Sequence, residues 1–425
     1  MTRLRCPRCN GKIPDFYSYC PECGLSLQIE YCPNCQAQQI FSGGRCTRCG
    51  FEYRIPPSAM LPPPPPPPPE KFDDSEVLPI VETEFKVLES APSEGFLNYH
   101  VQGGFSKRNF KNLVKKLEEK GYVPLLRMRE GKAVITVGRL PPNYKKAESL
   151  SLIGARRLWF PLFAATCLTI LLSGYMMSVG LAERRLLSSG VVVSTLSFML
   201  SMVSIFGVHE LGHKLACFIH QAESTPPYFI PGPPPLGTFG AVIFQSKPLV
   251  NKDELFDLGV SGPLAGLAVA ILVSAIGLKT SSMTPETAEG LVPVPTSVFF
   301  DIVGYAVAPR VPKGYTLVLS PVAYAGWAGF LLTYLQLLPV WQLDGAHVSY
   351  AVFGRKPQKI VWAIGLVLML VSGFFMMAIL ILVFITMQRG SHPELLDEVT
   401  PLSGSRKAFY VLVLLATVGC MTIGL

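Results

Sequence analysis

Six stretches of this 425-residue chain are apolar and long enough to cross a hydrocarbon layer of about 30 Å, and no other feature restricts its fold as strongly. They are roughly Leu158 to Leu181, Gly190 to Ile219, Gly259 to Leu278, Ser320 to Val340, Ile360 to Met387 and Ala408 to Leu425. In lipid every backbone polar group must be satisfied within the segment, so such stretches are expected to be helices. With 49% hydrophobic and 16% charged residues, most of the charge lying before residue 158, the chain reads as a multi-pass α-helical membrane protein preceded by a soluble part. Its formal charge of +8 is ordinary beside a membrane and gives no support to nucleic-acid binding by the chain as a whole.

Eight of the eleven cysteines fall within the first fifty residues. They form four C-x-x-C pairs: Cys6 with Cys9, Cys20 with Cys23, Cys32 with Cys35, and Cys46 with Cys49. Each of the first four recurs 26 residues later, which marks an internal repeat. Paired thiolates at this spacing predict two four-cysteine zinc ribbons over 1–54, each folding around one structural Zn²⁺. A redox dithiol would need only one pair, and a disulfide framework suits an extracellular domain. With polar, Cys-rich sequence from Met1 on and no apolar leader, the amino terminus is expected in the reducing cytosol. What the ribbons recognise is open between a cytosolic protein, a nucleic acid and no partner at all.

A proline-rich linker is expected over 55–81, with eight consecutive prolines from Pro62 forming an extended rod; an aromatic-groove ligand is the alternative. Residues 82–148 then read as a small α+β domain. Leu97, Tyr99 and Val101 alternate as in a strand, Ser106 can cap a helix with Phe110, Leu113, Val114 and Leu117 on its apolar face, and Gly121 ends it. Val123 to Arg129 and Ala133 to Val137 predict a hairpin about Glu130-Gly131. No catalytic constellation is visible in this domain, and His100 reads as structural.

The chemistry lies in 149–425. His209-Glu210-Leu211-Gly212-His213 ends a run from Gly190 to Val208 that contains no charged residue, and ionisable groups at membrane depth are costly and therefore functional candidates. Histidines at i and i+4 share one helix face, where they can hold Zn²⁺ while the intervening glutamate serves as general base. Asp344, in Leu343-Asp344-Gly345 after the fourth apolar stretch, can complete a three-ligand site; taken alone, Asp-Gly is equally a turn or a cap. With a cytosolic amino terminus and one crossing per stretch, the second and fourth spans deliver the histidines and Asp344 to the same side. Lys and Arg in the flanks nearly tie and do not test this. His220 and His347 are expected near the site but not as ligands, Cys167, Cys217 and Cys420 as inert thiols, and His392 suggests nothing specific.

Residues Gly190 to His347 resemble the site-2 proteases, the intramembrane zinc metalloproteases. The resemblance rests on His209-Glu210-Leu211-Gly212-His213, on Pro227-Tyr228-Phe229-Ile230-Pro231 with Gly237-Thr238-Phe239-Gly240-Ala241, on Gly259-Val260-Ser261-Gly262-Pro263-Leu264-Ala265-Gly266, and on Pro339 leading to Leu343-Asp344-Gly345. The α+β unit and the Phe-Ile-Pro and Gly-Thr-Phe-Gly-Ala stretches look most like the branch found in archaea, cyanobacteria and plastids, which implies an archaeal-like prokaryotic cell membrane. The resemblance implies one catalytic Zn²⁺ on His209, His213 and Asp344, with Glu210 activating water to cut a transmembrane segment of a membrane-protein substrate. It also implies a re-entrant β segment within 226–247, whose Gly240, Val242 and Phe244 are candidates for pairing with the unwound substrate. Gln336 departs from the family pattern, standing where an asparagine usually precedes the Pro339 stretch and adding a methylene to its amide. A metal-retaining binding protein and a zinc transporter are the alternatives; the intact Glu210 argues against the first, and the lack of further acidic residues in the spans against the second.

Overall fold

A computed structural model describes residues 29–31, 38–40, 74–93, 95–140, 144–243, 245, 247–287, 292–387 and 395–422. The chain divides into two units, Met1–Lys71 and Phe72–Leu425. Of the first, the structure describes β1 (Ile29–Tyr31) paired antiparallel with β2 (Gln38–Ile40), Ile29 opposite Ile40. The expected structural-zinc ligands Cys6, Cys9, Cys20, Cys23, Cys32, Cys35, Cys46 and Cys49 all lie outside the described residues, as does the proline run from Pro62. The described β1–β2 pair falls on either side of Cys32 and Cys35 in the sequence.

The second unit begins with α1 (Asp74–Glu82), inside the stretch expected to be linker. Its Val77 and Val81 are fully buried, and their burial orders a segment whose composition resembles a spacer. There follow β3 (Val87–Ser93), β4 (Phe96–Val101), α2 (Lys107–Glu119), β5 (Tyr122–Arg129) and β6 (Lys132–Arg139), with an antiparallel sheet in the order β3-β4-β6-β5. Period-two alternation buries Leu97, Tyr99 and Val101 of β4, and α2 lays Phe110, Leu113 and Leu117 on them. Glu130 and Gly131 both have positive φ, 50° and 77°, the geometry of a two-residue hairpin turn joining β5 to β6. Ser106 occupies the cap position of α2, but its side chain makes no capping hydrogen bond, contrary to expectation. β3 was not legible, because its Val87-Leu88-Glu89-Ser90-Ala91 lacks strict alternation and includes a register shift.

The membrane part opens with α3 (Tyr144–Glu183), a 40-residue helix that starts before the expected domain boundary at 148. Next come α4 (Val191–His220), the hairpin β7 (Tyr228–Pro231) and β8 (Thr238–Val242), and α5 (Lys252–Lys279). Beyond α5, β9 (Ser282–Pro285) pairs with β10 (Tyr315–Val318) on either side of α6 (Val298–Val307). The chain finishes with α7 (Pro321–Leu337), α8 (Asp344–Phe353), α9 (Gln358–Val371), α10 (Phe375–Met387) and α11 (Gly404–Cys420).

Among the described residues, three helices are long and apolar enough to cross a membrane: Leu158–Glu183, Val191–His220 and Lys252–Lys279. The other three expected spans are shorter or broken. α7 stops at Leu337 because Leu338 precedes a proline and turns extended, leaving 17 residues, about 26 Å of helix. The fifth stretch is two helices, α9 and α10, separated at Gly373 with φ 83°. α11 is again 17 residues.

α5 packs against α4, α7 and α8. Its approach to α7 is backbone on backbone: a Cβ on Gly277 would lie 2.1 Å from the Ala323 nitrogen. Asn251 starts α5 by accepting from the amides of Asp253 and Glu254. The α+β domain is continuous with this body, since Leu396, from the segment ahead of α11, is buried in the domain's own core.

Candidate metal centre

α4 has one buried face and one lipid-type face. Phe198, Met202, Ile205, His209 and His213 turn inward, whereas Leu211, Leu215 and Phe218 are exposed. His209 and His213, four residues apart, are therefore neighbours on the buried side, with Nε2 atoms 3.1 Å apart. Asp344, in the first turn of α8, brings Oδ2 to 3.3 Å from each of these nitrogens. The three donor atoms lie within 4.8 Å of one another and form the metal-competent cluster found among the described residues. Glu210 is 4% exposed beside them on the same helix.

Three features of the surrounding backbone create this arrangement. His213 Nδ1 lies 2.9 Å from the Leu258 carbonyl, which can only accept, so Nδ1 carries the proton and Nε2 keeps its lone pair for the cluster. α5 offers bare backbone where the rings must fit: a Cβ on Gly262 would stand 2.1 Å from His213 Nε2. A Cβ on Gly259 would stand 2.8 Å from the Asp344 carbonyl oxygen and one on Gly266 a less severe 3.2 Å from His209 Cβ, so one glycine face of α5 receives all three residues. Finally, Trp341 adopts φ 52° and turns the chain from α7 into α8, while Gly345 sits on the Leu337 carbonyl.

The donor set fits a zinc ion. Two imidazoles and one carboxylate are ligands zinc takes in catalytic sites, where an open position remains for water. Asp344 Oδ2 is buried and accepts no hydrogen bond, a cost that coordination of a cation would remove. The sequence expectation named all four residues brought together here; it did not identify the Leu258 carbonyl or the role of Gly262, although the run Gly259 to Gly266 signalled close packing.

The other expected residues fall elsewhere. Gly240 is buried in β8 with φ 104°, its amide donating to Thr238 Oγ1, and a Cβ there would meet Phe206, one turn before His209. Val242 pairs with Tyr228 and is 39% exposed; Phe244 lies outside the described residues. The hairpin is fastened to α3, where Thr169 Oγ1 donates to the Gly237 carbonyl at 2.6 Å and Phe163, stacked on Trp159, meets Phe229 edge to face. Gln336 is half-buried in the last turn of α7. His220 ends α4 and bonds to Asp257 at 2.8 Å, away from the cluster. His347 is one turn after Asp344, its Cβ against Gly259. Cys167, Cys217 and Cys420 are free thiols, and His392 lies outside the described residues.

Residues 197–372 match peptidase family M50, and residues 6–50, which run from Cys6 past Cys49, match the double zinc ribbon. Among curated proteins, the chain is 35% identical over 170 residues to the probable zinc metalloprotease EGY1, chloroplastic, of Oryza sativa subsp. japonica, covering 39% of this chain and 29% of that protein. The Arabidopsis thaliana protein of the same name is 33% identical over 171 residues, 39% and 31% of the two chains. The probable zinc metalloprotease EGY2, chloroplastic, of Arabidopsis thaliana is 28% identical over 205 residues, 46% and 36%. The matched region thus spans about a third of the length of these relatives. No solved structure matches the chain.

Proposed function

We propose that the chain, a membrane protein whose residues 197–372 match peptidase family M50, is an intramembrane zinc endopeptidase cutting transmembrane segments of membrane proteins. The observation that carries this reading is the buried cluster of His209, His213 and Asp344 with Glu210 beside it. A purely structural site has no use for the buried carboxylate of Glu210.

In this reading His209, His213 and Asp344 hold one Zn²⁺. When bound, zinc supplies a Lewis acid that polarises the scissile carbonyl and brings the pKa of a water toward about 7. Glu210 takes the proton from the attacking water and passes it to the leaving amine nitrogen. Leu258 and the glycine face of α5 keep the His213 ring oriented throughout. The glutamine at 336 takes the place of the family asparagine, in the turn that leads toward Asp344.

A substrate helix hides its peptide bonds in its own hydrogen bonds and must unwind before it can be cut. The β7–β8 hairpin lies over α4 at Phe206, and among the described residues β8 pairs on one side only, with β7. Its other edge is suited to an extended substrate segment, as in strand addition, with Gly240 and Val242 on the pairing strand and Phe244 just beyond. The segment is re-entrant in this reading, its backbone tolerated at depth because it lines the site. The four C-x-x-C pairs support two structural zinc ions in 1–54, one on Cys6, Cys9, Cys20 and Cys23 and one on Cys32, Cys35, Cys46 and Cys49. Reduced thiols belong in a reducing compartment, which in this reading is the cytosolic side of a prokaryotic membrane. There the ribbons are free to meet a cytosolic protein or nucleic acid.

The test is reconstitution of the full chain with model single-span substrates, comparing wild type with Glu210→Gln and measuring bound zinc in both. Cleavage by wild type alone, with equal zinc, is expected; equal cleavage by the two ends the proposal.

A further inference from the structure

α2 presents two faces to two partners. Phe110, Leu113 and Leu117 are buried in the α+β core, while Lys107, Lys111 and Glu118 lie on another face and reach the membrane part. Lys107 Nζ stands 2.6 Å from Asp253 and 3.4 Å from Ser403 Oγ, and Glu118 pairs with Lys247 at 2.6 Å. Lys111 Nζ makes two bonds of 3.0 Å, one to the carbonyl of His220 and one to the carboxylate of Glu254.

The positions of those two acceptors matter. His220 is the last residue of α4, two turns beyond His213. Glu254 lies in the first turn of α5, one turn before Leu258, whose carbonyl orients the His213 ring. A single ammonium therefore joins the end of the helix that carries two donors to the start of the helix that aims one of them. Glu254 is 3% exposed and also accepts from the Val250 amide, so loss of its cation leaves a buried carboxylate without a counter-charge.

The third donor helix is tied to the same domain. Tyr350, six residues after Asp344 on α8, donates to Glu398 at 2.9 Å. Glu398 lies 3.7 Å from Arg127 of β5, whose guanidinium also donates to the carbonyls of Leu395 and Leu396. Helices in lipid lack a hydrophobic force that fixes their axial register, whereas a metal site tolerates displacements of only about 0.5 Å. Polar ties at the helix ends supply what apolar packing does not.

We propose that the α+β domain is a positioning element for the metal centre, and that Lys111 is the residue through which it sets α4 against α5. The proposal rests on His209, His213 and Asp344 being the zinc site. Lys116, on the same helix, bonds Thr83 and Glu84 of its own domain and serves as the control.

The experiment uses the purified full chain and compares Lys111→Met, Lys111→Arg and Lys116→Met with wild type. Zinc affinity is read by chelator competition, and hydrogen exchange is followed at the last turn of α4 and across α2. Lys111→Met is expected to weaken zinc binding about tenfold, the lower end of the cost of losing a group that supports a metal ligand. Exchange at Cys217 to His220 rises while α2 stays protected, and kcat falls with KM unchanged. Lys111→Arg restores zinc affinity and kcat, and Lys116→Met matches wild type. Unchanged zinc affinity in Lys111→Met overturns the proposal, as does an equal loss in Lys116→Met, which would mean that domain stability alone is at work. A wild type that binds zinc but cleaves nothing defeats the proposed function, while zinc affinity and exchange still decide the positioning role. A wild type that binds no zinc overturns both.

Discussion

The α+β domain and the α4–α5 pair solve the same problem, bringing two elements together, by opposite means. In the domain, water does the sorting: Leu113 and Leu117 of α2 turn inward and Lys115 and Lys116 turn outward because only one face is apolar. In α4 and α5 apolar residues lie on the buried and the exposed face alike, so hydrophobicity alone does not choose the contact and size helps to decide it. Gly259, Gly262 and Gly266 mark where α5 receives the donor residues, while large side chains such as Phe218 of α4, 82% exposed, point away. In the domain large apolar residues alone make the contact; between the membrane helices glycines open the room for the donor residues, and large residues such as Phe198 and Met202 fill the rest of the buried face.

This contrast is open to direct attack, beginning where the largest effect is expected. Glu210→Gln removes the proposed base without touching the packing, so cleavage should fall by about 10²–10⁴-fold while zinc content measured by metal analysis stays at the wild-type level. Gly262→Ala adds one carbon where His213 Nε2 stands 2.1 Å away; the ring must swing off the Leu258 carbonyl, and zinc affinity should drop about 100-fold. Retained affinity in that variant would break the claim that size organises the membrane part. Leu113→Ala, in the water-facing domain, should cost about 2–5 kcal/mol in the domain's unfolding, read by denaturant titration, because the side chain is fully buried. Gly103→Ala, where a Cβ meets nothing within 4 Å, and Phe218→Ala, whose ring faces outward, should each change stability by less than about 0.5 kcal/mol in thermal melts. Ser106→Ala belongs with these small effects, since the hydroxyl makes no cap bond.

Legibility followed the same divide. The α2 face, the alternation of β4 and the Glu130-Gly131 turn were readable because period and turn chemistry are local. Three of the six expected spans are not full-length helices; for two of them the reason is that an apolar run does not reveal where a proline-adjacent residue, Leu338, or a left-handed glycine, Gly373, will stop it. α1 was missed for the complementary reason: Val77 and Val81 are ordered by a core assembled from residues far along the chain.

At the candidate metal centre, the placing of His209, Glu210 and His213 was set by sequence alone, since a spacing of four on a helix places two rings side by side regardless of what surrounds them. Asp344 was nameable, but its approach to 3.3 Å depends on the turn at Trp341 and on Gly345 fitting against Leu337. The tautomer of His213 and the room for its ring come from α5, 45 residues away, and the ties, from Lys111 to His220 and from Glu398 to Tyr350, come from parts of the chain still more distant in sequence. Motif spacing governs geometry within a helix because the backbone is rigid there. Distances between helices are decided by which side chains are small enough, and which ends are tied, when the whole chain packs.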